Sequence, residues 1–229
     1  KKAEDILRTF SREIIIGRFL HAGFNEERFR PGLEPRLRKE LKLEDKFTFL
    51  FVGALGYRKG IHVAIEALSY LKNEFNNLRL IIIGSGEYEE NLKMKVENLK
   101  MTNMVTFFPW MANKDLPQVF CSADAFIYPS LPYKGWEEQF GYSIAEASLC
   151  GLPVISTKSG GIDEVLVDGK TGILVEPNSV SELKIAMKKL ILENKLRKEL
   201  GENGRQFIIA NYSNKIIAPI KSTVLFKPF

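Results

Sequence analysis

Two carboxylates, Glu138 and Glu146, stand in the run Tyr128-Pro129-Ser130-Leu131-Pro132-Tyr133-Lys134-Gly135-Trp136-Glu137-Glu138-Gln139-Phe140-Gly141-Tyr142-Ser143-Ile144-Ala145-Glu146-Ala147. The pattern from Phe140-Gly141 onward predicts a helix, which leaves Glu138 in the loop just ahead of it and puts Glu146 somewhat over one turn inside. Two carboxylates so placed can face one crevice. The start of that helix directs unpaired N–H groups and the positive end of its dipole into the same crevice, which makes an anion site. A nucleoside diphosphate is an anion that fits, and a carboxylate can accept hydrogen bonds from both ribose hydroxyls. The plainer reading is an ordinary first-turn acid and a surface glutamate; the surrounding aromatic residues and glycines favour the anion site.

Other glycine-rich segments add weaker signals. Gly53-Ala54-Leu55-Gly56-Tyr57-Arg58-Lys59-Gly60 joins a sharp turn to adjacent cations suited to a phosphate, although it also reads as a βα turn with two surface charges. It lacks the order of a P-loop. Gly84-Ser85-Gly86 lets a flat or phosphorylated group approach the backbone, but Glu89 stands where a dinucleotide fingerprint needs its third glycine, and a tight turn explains it equally well. Ser159-Gly160-Gly161-Ile162-Asp163-Glu164 opens a further short helix, with Ser159 or the Gly160 amide near its cap.

These loops must be held by a scaffold, and from about residue 47 short β-rich apolar runs alternate with helix-period segments, as βα units of a parallel sheet do. The expected strands are Thr48–Val52, Leu78–Ile83, Val105–Phe108, Ala125–Tyr128, Pro153–Ser156 and Ile173–Val175. The expected helices are Gly60–Phe75, Tyr88–Leu99, Leu116–Ala123, Gly141–Cys150, Ile162–Val167, Val180–Leu192 and Lys195–Asn211. Asn178-Ser179 with Glu182 reads as an N-cap and capping box. The fold class is therefore α/β, a Rossmann-like three-layer αβα domain with a parallel six-stranded sheet. Ligands of such sheets bind beyond the carboxyl ends of the strands, where strand order reverses. Residues 1–46 hold one short apolar run, Ile14–Ile16, and a charged stretch with proline; they read as a lead-in segment or linker. Residues 47–178 are expected to form the Rossmann-like ligand-binding core, and 179–229 a set of terminal helices packing on the core or on another domain.

Composition agrees with a globular chain: 229 residues, 45% hydrophobic, 27% charged, mean hydropathy −0.10. The longest strongly apolar run, Phe47 to Leu55, falls far short of the roughly 20 residues a membrane helix needs, so any membrane contact is peripheral, at the inner face, and a cytoplasmic location is expected. The net charge of +5 gathers at the end, where residues 181–229 hold 10 basic against 4 acidic residues. Lys184, Lys188 and Lys189 alternate with apolar positions, the pattern of a solvated helix face and not of a nucleic-acid stripe. Cys121 and Cys150 read as core thiols, with neither a disulfide framework nor a zinc site.

The run Glu138-x-Phe140-Gly141-x-x-x-x-Glu146-Ala147, followed by Cys150-Gly151-x-Pro153-Val154-Ile155-Ser156, Gly160-Gly161-Ile162-x-Glu164-Val165 and Asp168-Gly169-x-x-Gly172-Ile173-Leu174-Val175, resembles family 4 retaining glycosyltransferases, and in particular their carboxy-terminal donor-binding domain, one half of a GT-B fold. The resemblance extends over roughly residues 14 to 212 and takes in Gly23-Phe24-Asn25 through Phe29-Arg30-Pro31. It implies that Glu138 lies by the donor sugar's hydroxyls and Glu146 binds the ribose. Lys59 matches the lysine that neutralises the diphosphate. Phe140, Gly141 and Tyr142 match the helix start that approaches phosphates and sugar; Pro109–Met111, with Met111, matches the region where the base packs. Gly56, Arg58 and Gly84 complete the expected donor contacts. One departure stands out: the family's arginine five residues before the lysine is Ala54 here, and Arg58 is the neighbouring candidate to compensate, although adjacent side chains in a turn diverge. The loop Pro132–Trp136 is longer than usual and is placed to shape the sugar pocket.

The implied reaction transfers a hexosyl group from a nucleotide-diphosphate sugar to a saccharide or lipid-linked acceptor. For retaining members the favoured picture is front-face attack within an ion pair. The chain has no Asp-x-Asp, so metal-independent binding with no cofactor is expected. The acceptor is expected to engage through an amino-terminal Rossmann domain, with Ile14–Pro31 as the exit from it, and this chain alone is expected to bind donor but transfer little sugar. Rival readings are a sugar-nucleotide epimerase of similar architecture, a nucleotide-sugar-binding module without activity, and, less favoured by an anion site, a glycosidase using the same carboxylates.

Overall fold

A computed structural model of the chain describes residues 23–218. The apolar run Ile14–Ile16 and the chain beyond residue 218 lie outside them.

The runs of Val, Ile, Leu and Phe that alternate with helical segments form, in chain order, α1 (Arg36–Glu40), β1 (Phe47–Val52), α2 (Ile61–Leu71), β2 (Leu78–Ile83), α3 (Glu89–Asn98), β3 (Val105–Phe108), α4 (Leu116–Phe120), β4 (Ala125–Tyr128), α5 (Tyr142–Leu149), β5 (Val154–Thr157), α6 (Ile162–Val165), β6 (Ile173–Val175), α7 (Val180–Leu192) and α8 (Asn194–Tyr212). A single 3-10 turn, Tyr57–Lys59, precedes α2. The strands pair in parallel in the order β3-β2-β1-β4-β5-β6. This is the Rossmann-like α/β sheet expected from the alternation of patterns. Its order reverses between β1 and β4, where Phe49 pairs with Ala125 and Leu50 with Phe126. The loops after β1 and β4 therefore diverge around a crevice at this switch point.

Phe49, Leu50, Phe51, Ile81, Ile82, Phe126 and Ile127 are buried, as strands covered on both faces must be. Helix α7 packs on α2 and α8 on α5. Ser179 caps α7 by accepting the Glu182 N–H at 3.3 Å, while the Glu182 carboxylate reaches back to the Glu176 N–H at 2.9 Å. The glutamate of this capping box thus serves the turn before the cap. The stretch before β1 is stitched to the core along its described part. Phe24, Phe29, Leu37 and Leu43 are buried, the Phe24 N–H donates to the Tyr212 carbonyl at 2.9 Å, and Arg38 pairs with Asp124 at 2.6 Å.

Two close approaches set the geometry of the crevice and its support. Gly60, at φ 67°, links the 3-10 turn to α2; a Cβ there would sit 1.9 Å from the Pro129 carbonyl oxygen after β4. Only glycine lets the loops after β1 and β4 touch at that point. On the opposite flank Gly201 of α8 lies against the Gly151 carbonyl, with a Cβ position only 2.1 Å from that oxygen. Replacing a helical glycine by alanine ordinarily gains roughly 1 kcal/mol of helix propensity. Here the added methyl meets backbone, and overpacking of this kind costs about 1–3 kcal/mol. Gly201→Ala is therefore expected to lower the urea midpoint; a variant more stable than the parent would show that α8 is free to shift.

Candidate functional site

The cation turn begins at Gly56 in extended conformation and closes through the Lys59 N–H to the Gly56 carbonyl and the Gly60 N–H to the Tyr57 carbonyl, both 3.0 Å. This turn carries Lys59 into the crevice, only 7% exposed. Its ammonium donates to Glu138 Oε2 and to the Tyr128 hydroxyl, each at 2.6 Å, and Tyr128 donates in turn to Glu138 Oε2 at 3.0 Å. Ser130 Oγ approaches the same carboxylate oxygen at 3.5 Å. Residues 79 apart in sequence thus close a buried triangle where strand order reverses.

Burial pushes the Lys59 ammonium below the usual lysine range, and its bond to Glu138 pulls it back up. Burial, then the charge of Glu138, pushes the Tyr128 phenol up, so it remains a neutral hydrogen-bond donor. Removing one member of a buried ion pair leaves an uncompensated charge, which costs roughly 3–5 kcal/mol. The pair therefore holds both side chains in fixed places.

Helix α5 starts from Gly141, whose φ of 85° suits glycine and turns the chain from the Glu138 loop into the helix. Gly161 supports that loop by donating its N–H to the Glu138 carbonyl at 2.7 Å. The Phe140 ring is buried against Phe24, Tyr142 and Tyr212, so what Phe140 presents to the crevice is backbone. Tyr142, at the first position of α5, is exposed.

Glu146 lies one turn further along in a separate cluster. Asn113, from the loop after β3, donates to Glu146 Oε1 at 3.4 Å, and Arg28 donates to the Asn113 side-chain oxygen. Burial raises the Glu146 carboxyl to about 7, opposed by the Asn113 bond and the Arg28 charge. Met111, in the same loop as Asn113, is half-buried against the core.

Arg58 does not follow Lys59 inward to Glu138. Its guanidinium carbon lies 3.4 Å from the centre of the Trp136 ring, and Lys59 Nζ is 5.4 Å from the same ring. Gly84 owes its identity to chain packing, since a Cβ there would stand 1.9 Å from the Gly53 carbonyl oxygen. Gly56 leaves room for Glu87, whose Oε1 would be 2.8 Å from an added Cβ. The sequence reading missed Tyr128, Asn113 and Arg28 as site residues. Tyr128 carried a signal, a hydroxyl at the carboxyl end of an otherwise apolar strand. Arg28 and Asn113 had none beyond their place in a lead-in segment and a polar loop.

The buried cation–carboxylate pair and the start of α5 stand at the switch point of a Rossmann-like α/β sheet, where domains of this class bind their ligands. Within that class the chain belongs to the glycosyltransferase group 1 family, whose model, "Glycosyl transferases group 1", matches residues 34–207. It is 30% identical over 198 residues to a GDP-mannose-dependent alpha-(1-6)-phosphatidylinositol monomannoside mannosyltransferase of Mycobacterium tuberculosis, covering 85% of this chain and 51% of that protein. Among solved structures, Anabaena Alr3699/HepE in complex with UDP and glucose superposes with a TM-score of 0.80 at 25% identity, over 90% of this chain and 55% of that one. The C-terminal domain of a Francisella tularensis glycosyl transferase group 1 protein, LpcC, shares the fold at a TM-score of 0.73 and 24% identity, over 83% of this chain and 99% of that one. The chain spans about half the length of the mannosyltransferase and of HepE. Among the described residues no helix is long and apolar enough to cross a membrane.

Between the usual carboxylate pKa of 4.5 and about 7, the folded chain keeps a proton on Glu146 that the unfolded chain releases. Stability contributed by that protonation falls as pH rises through the window. Glu146→Gln, which cannot ionise, is expected to melt progressively higher relative to the parent as pH increases from about 5 to about 8. A melting difference that stays flat with pH would remove Glu146 as the titrating group.

Proposed function

We propose that the chain binds a nucleotide-diphosphate sugar and forms the donor half of a retaining hexosyltransferase, acting on a saccharide or lipid-linked acceptor held by an amino-terminal domain. The observation that carries this reading is the buried Lys59–Tyr128–Glu138 triangle beside the start of α5, at the sheet's switch point. The HepE complex with UDP and glucose and the GDP-mannose dependence named for the mycobacterial relative support the ligand class.

Breaking the anomeric C–O bond leaves a diphosphate with new charge, and catalysis depends on donors already aimed at it. The start of α5 supplies roughly 0.3–1 kcal/mol when exposed and up to about 2 when partly buried. Since about 1.4 kcal/mol is tenfold in rate, a helix terminus alone falls short, and Lys59 supplies the rest with Arg58. Balance of charge by these groups is the basis for proposing metal-independent binding. Glu138 serves the sugar hydroxyls in this reading and not as a nucleophile. Its Oε2 already accepts from Lys59 and Tyr128, so the lone pairs a nucleophile would offer are engaged. Glu146, with Asn113 beside it, accepts from the ribose.

Calorimetry with UDP, GDP and ADP tests the binding, and turnover with an added acceptor separates a transferase from a binding module; interconversion of the donor without acceptor would indicate an epimerase. Lys59→Gln, which removes the charge and keeps a donor, is expected to weaken nucleoside diphosphate binding by about 10–100-fold, the range of a charge-assisted hydrogen bond. Nucleoside binding should change little. Parallel losses for both ligands would refute a diphosphate role for Lys59, and no binding of any of the three diphosphates would refute the donor-domain reading.

A further inference from the structure

The long loop after β4 is a tight hairpin. Tyr133 and Trp136 exchange N–H···O bonds of 2.9 Å in both directions across Lys134-Gly135, which sit at φ 49° and 78°, as a two-residue hairpin turn requires. The two aromatic residues at its base both meet the cation turn. The Tyr133 ring is 5.0 Å from that of Tyr57, and Trp136 lies 3.4 Å from the Arg58 guanidinium carbon. The main chain leading into the hairpin completes the grip, with the Leu131 N–H donating to the Arg58 carbonyl at 2.7 Å and Ser130 Oγ at 3.3 Å. Arg58 is therefore held at both its backbone and its side-chain end by residues 130–136.

Stacking on an aromatic face uses the flat side of a guanidinium and leaves its N–H donors pointing outward in the plane. One of those nitrogens, Arg58 Nη1, is buried with no hydrogen-bond partner. Leaving a charged donor buried and unsatisfied is costly, so the geometry suits a group that meets an acceptor brought by a ligand. The positive charge of Arg58 is felt at both Lys59 and Tyr128, which places it beside the buried triangle. Ala54, exposed at the other end of the same loop, contributes no charge.

We infer that Trp136 is a positioning residue: it presents the Arg58 guanidinium edge-first to the donor diphosphate, so that hairpin and cation turn together supply the second positive charge that Ala54 does not. This rests on the donor-domain reading. An indole that merely covers apolar surface would not require an arginine beneath it, nor would its removal discriminate between a diphosphate and a nucleoside.

The test is calorimetry on the whole chain, using UDP and GDP beside uridine and guanosine. Trp136→Leu is expected to weaken the diphosphates about tenfold while the nucleosides stay within about twofold. Trp136→Phe should recover most of the loss because it restores a face for the guanidinium. Arg58→Lys, which keeps the charge and loses the planar group, should reproduce the Trp136→Leu loss, and it reports even where the leucine variant does not fold. In an Arg58→Ala background, Trp136→Leu should cost nothing further. The inference is overturned by tight diphosphate binding in Trp136→Leu or Arg58→Lys, by equal losses for diphosphate and nucleoside, or by the same loss with and without Arg58. A parent chain that binds none of UDP, GDP and ADP defeats the donor-domain reading as well, whereas a parent that binds with Trp136→Leu unchanged defeats this inference alone.

Discussion

The ion pair between Lys59 and Glu138 is the constraint on which the crevice depends. Two charges that are taken out of water recover their desolvation only through close and well-satisfied contact. Here the contact is 2.6 Å, and Tyr128 and Ser130 occupy the remaining bonding positions of the same carboxylate oxygen. Meeting that requirement fixes much else. Strands β1 and β4 must be neighbours, the 3-10 turn must lean on Pro129, and only a glycine at position 60 allows that approach. The Glu138 loop must be pinned from behind as well, which Gly161 achieves by donating to the Glu138 carbonyl.

The pairing also sets the electrostatic character of the crevice. Lys59 is shared with Glu138, which moderates its pull on an anion, and in the proposed reading Arg58 and the positive end of α5 add to it. Glu146 would oppose an anion if it were fully ionised, but burial holds its carboxyl at about 7. Near neutral pH it is partly protonated and repels less. A ligand hydroxyl that donates to the carboxylate favours the ionised form, so binding at this position would release a proton. Arg28 and Asn113 work in the same direction, since each stabilises the carboxylate. In the proposed reading, attraction for the anion and acceptance by Glu146 are thereby reconciled through one titration.

Much of this was legible in the amino-acid sequence, for identifiable reasons. Leu78–Ile83, Val105–Phe108, Ala125–Tyr128 and Ile173–Val175 form strands at the expected limits because dense apolar runs end abruptly at turn residues. Strand β5 begins one residue late, at Val154, since Pro153 has no N–H for the ladder, although its carbonyl accepts from Phe126. Helices α2 and α4 stop short of their apolar periodicity, at Leu71 and Phe120, because the following residues turn with bonds such as Glu74 N–H to the Leu71 carbonyl and Ser122 N–H to the Val119 carbonyl. Spacing located Glu138, Glu146 and Lys59 but not their partners. Which residues face Glu138 depends on how β1 and β4 pair, and Arg28 reaches Asn113 only because the stretch before β1 folds back onto the core. Contacts made by strand pairing and by chain return leave no local pattern to read. The side-chain routes of Arg58 and Lys59, adjacent in sequence, are likewise set by the loops that meet them.

The basic charge of the closing helices finds its use in the same architecture. Arg197 of α8 donates to the Leu190 and Ile191 carbonyls at the end of α7, and Arg205 donates to the Leu149 carbonyl at the end of α5. Cations at helix carboxyl ends satisfy orphan carbonyls and oppose the negative end of the dipole. Arg205 also holds the carbonyls of Phe29 and Glu26, tying the stretch before β1 to the same pole. With its negative end neutralised and buried against α8, helix α5 is left with only its positive end facing the crevice. A charge surplus that looks like a surface property in the sequence is, at Arg197 and Arg205, part of what ties α8 to the ends of α7 and α5.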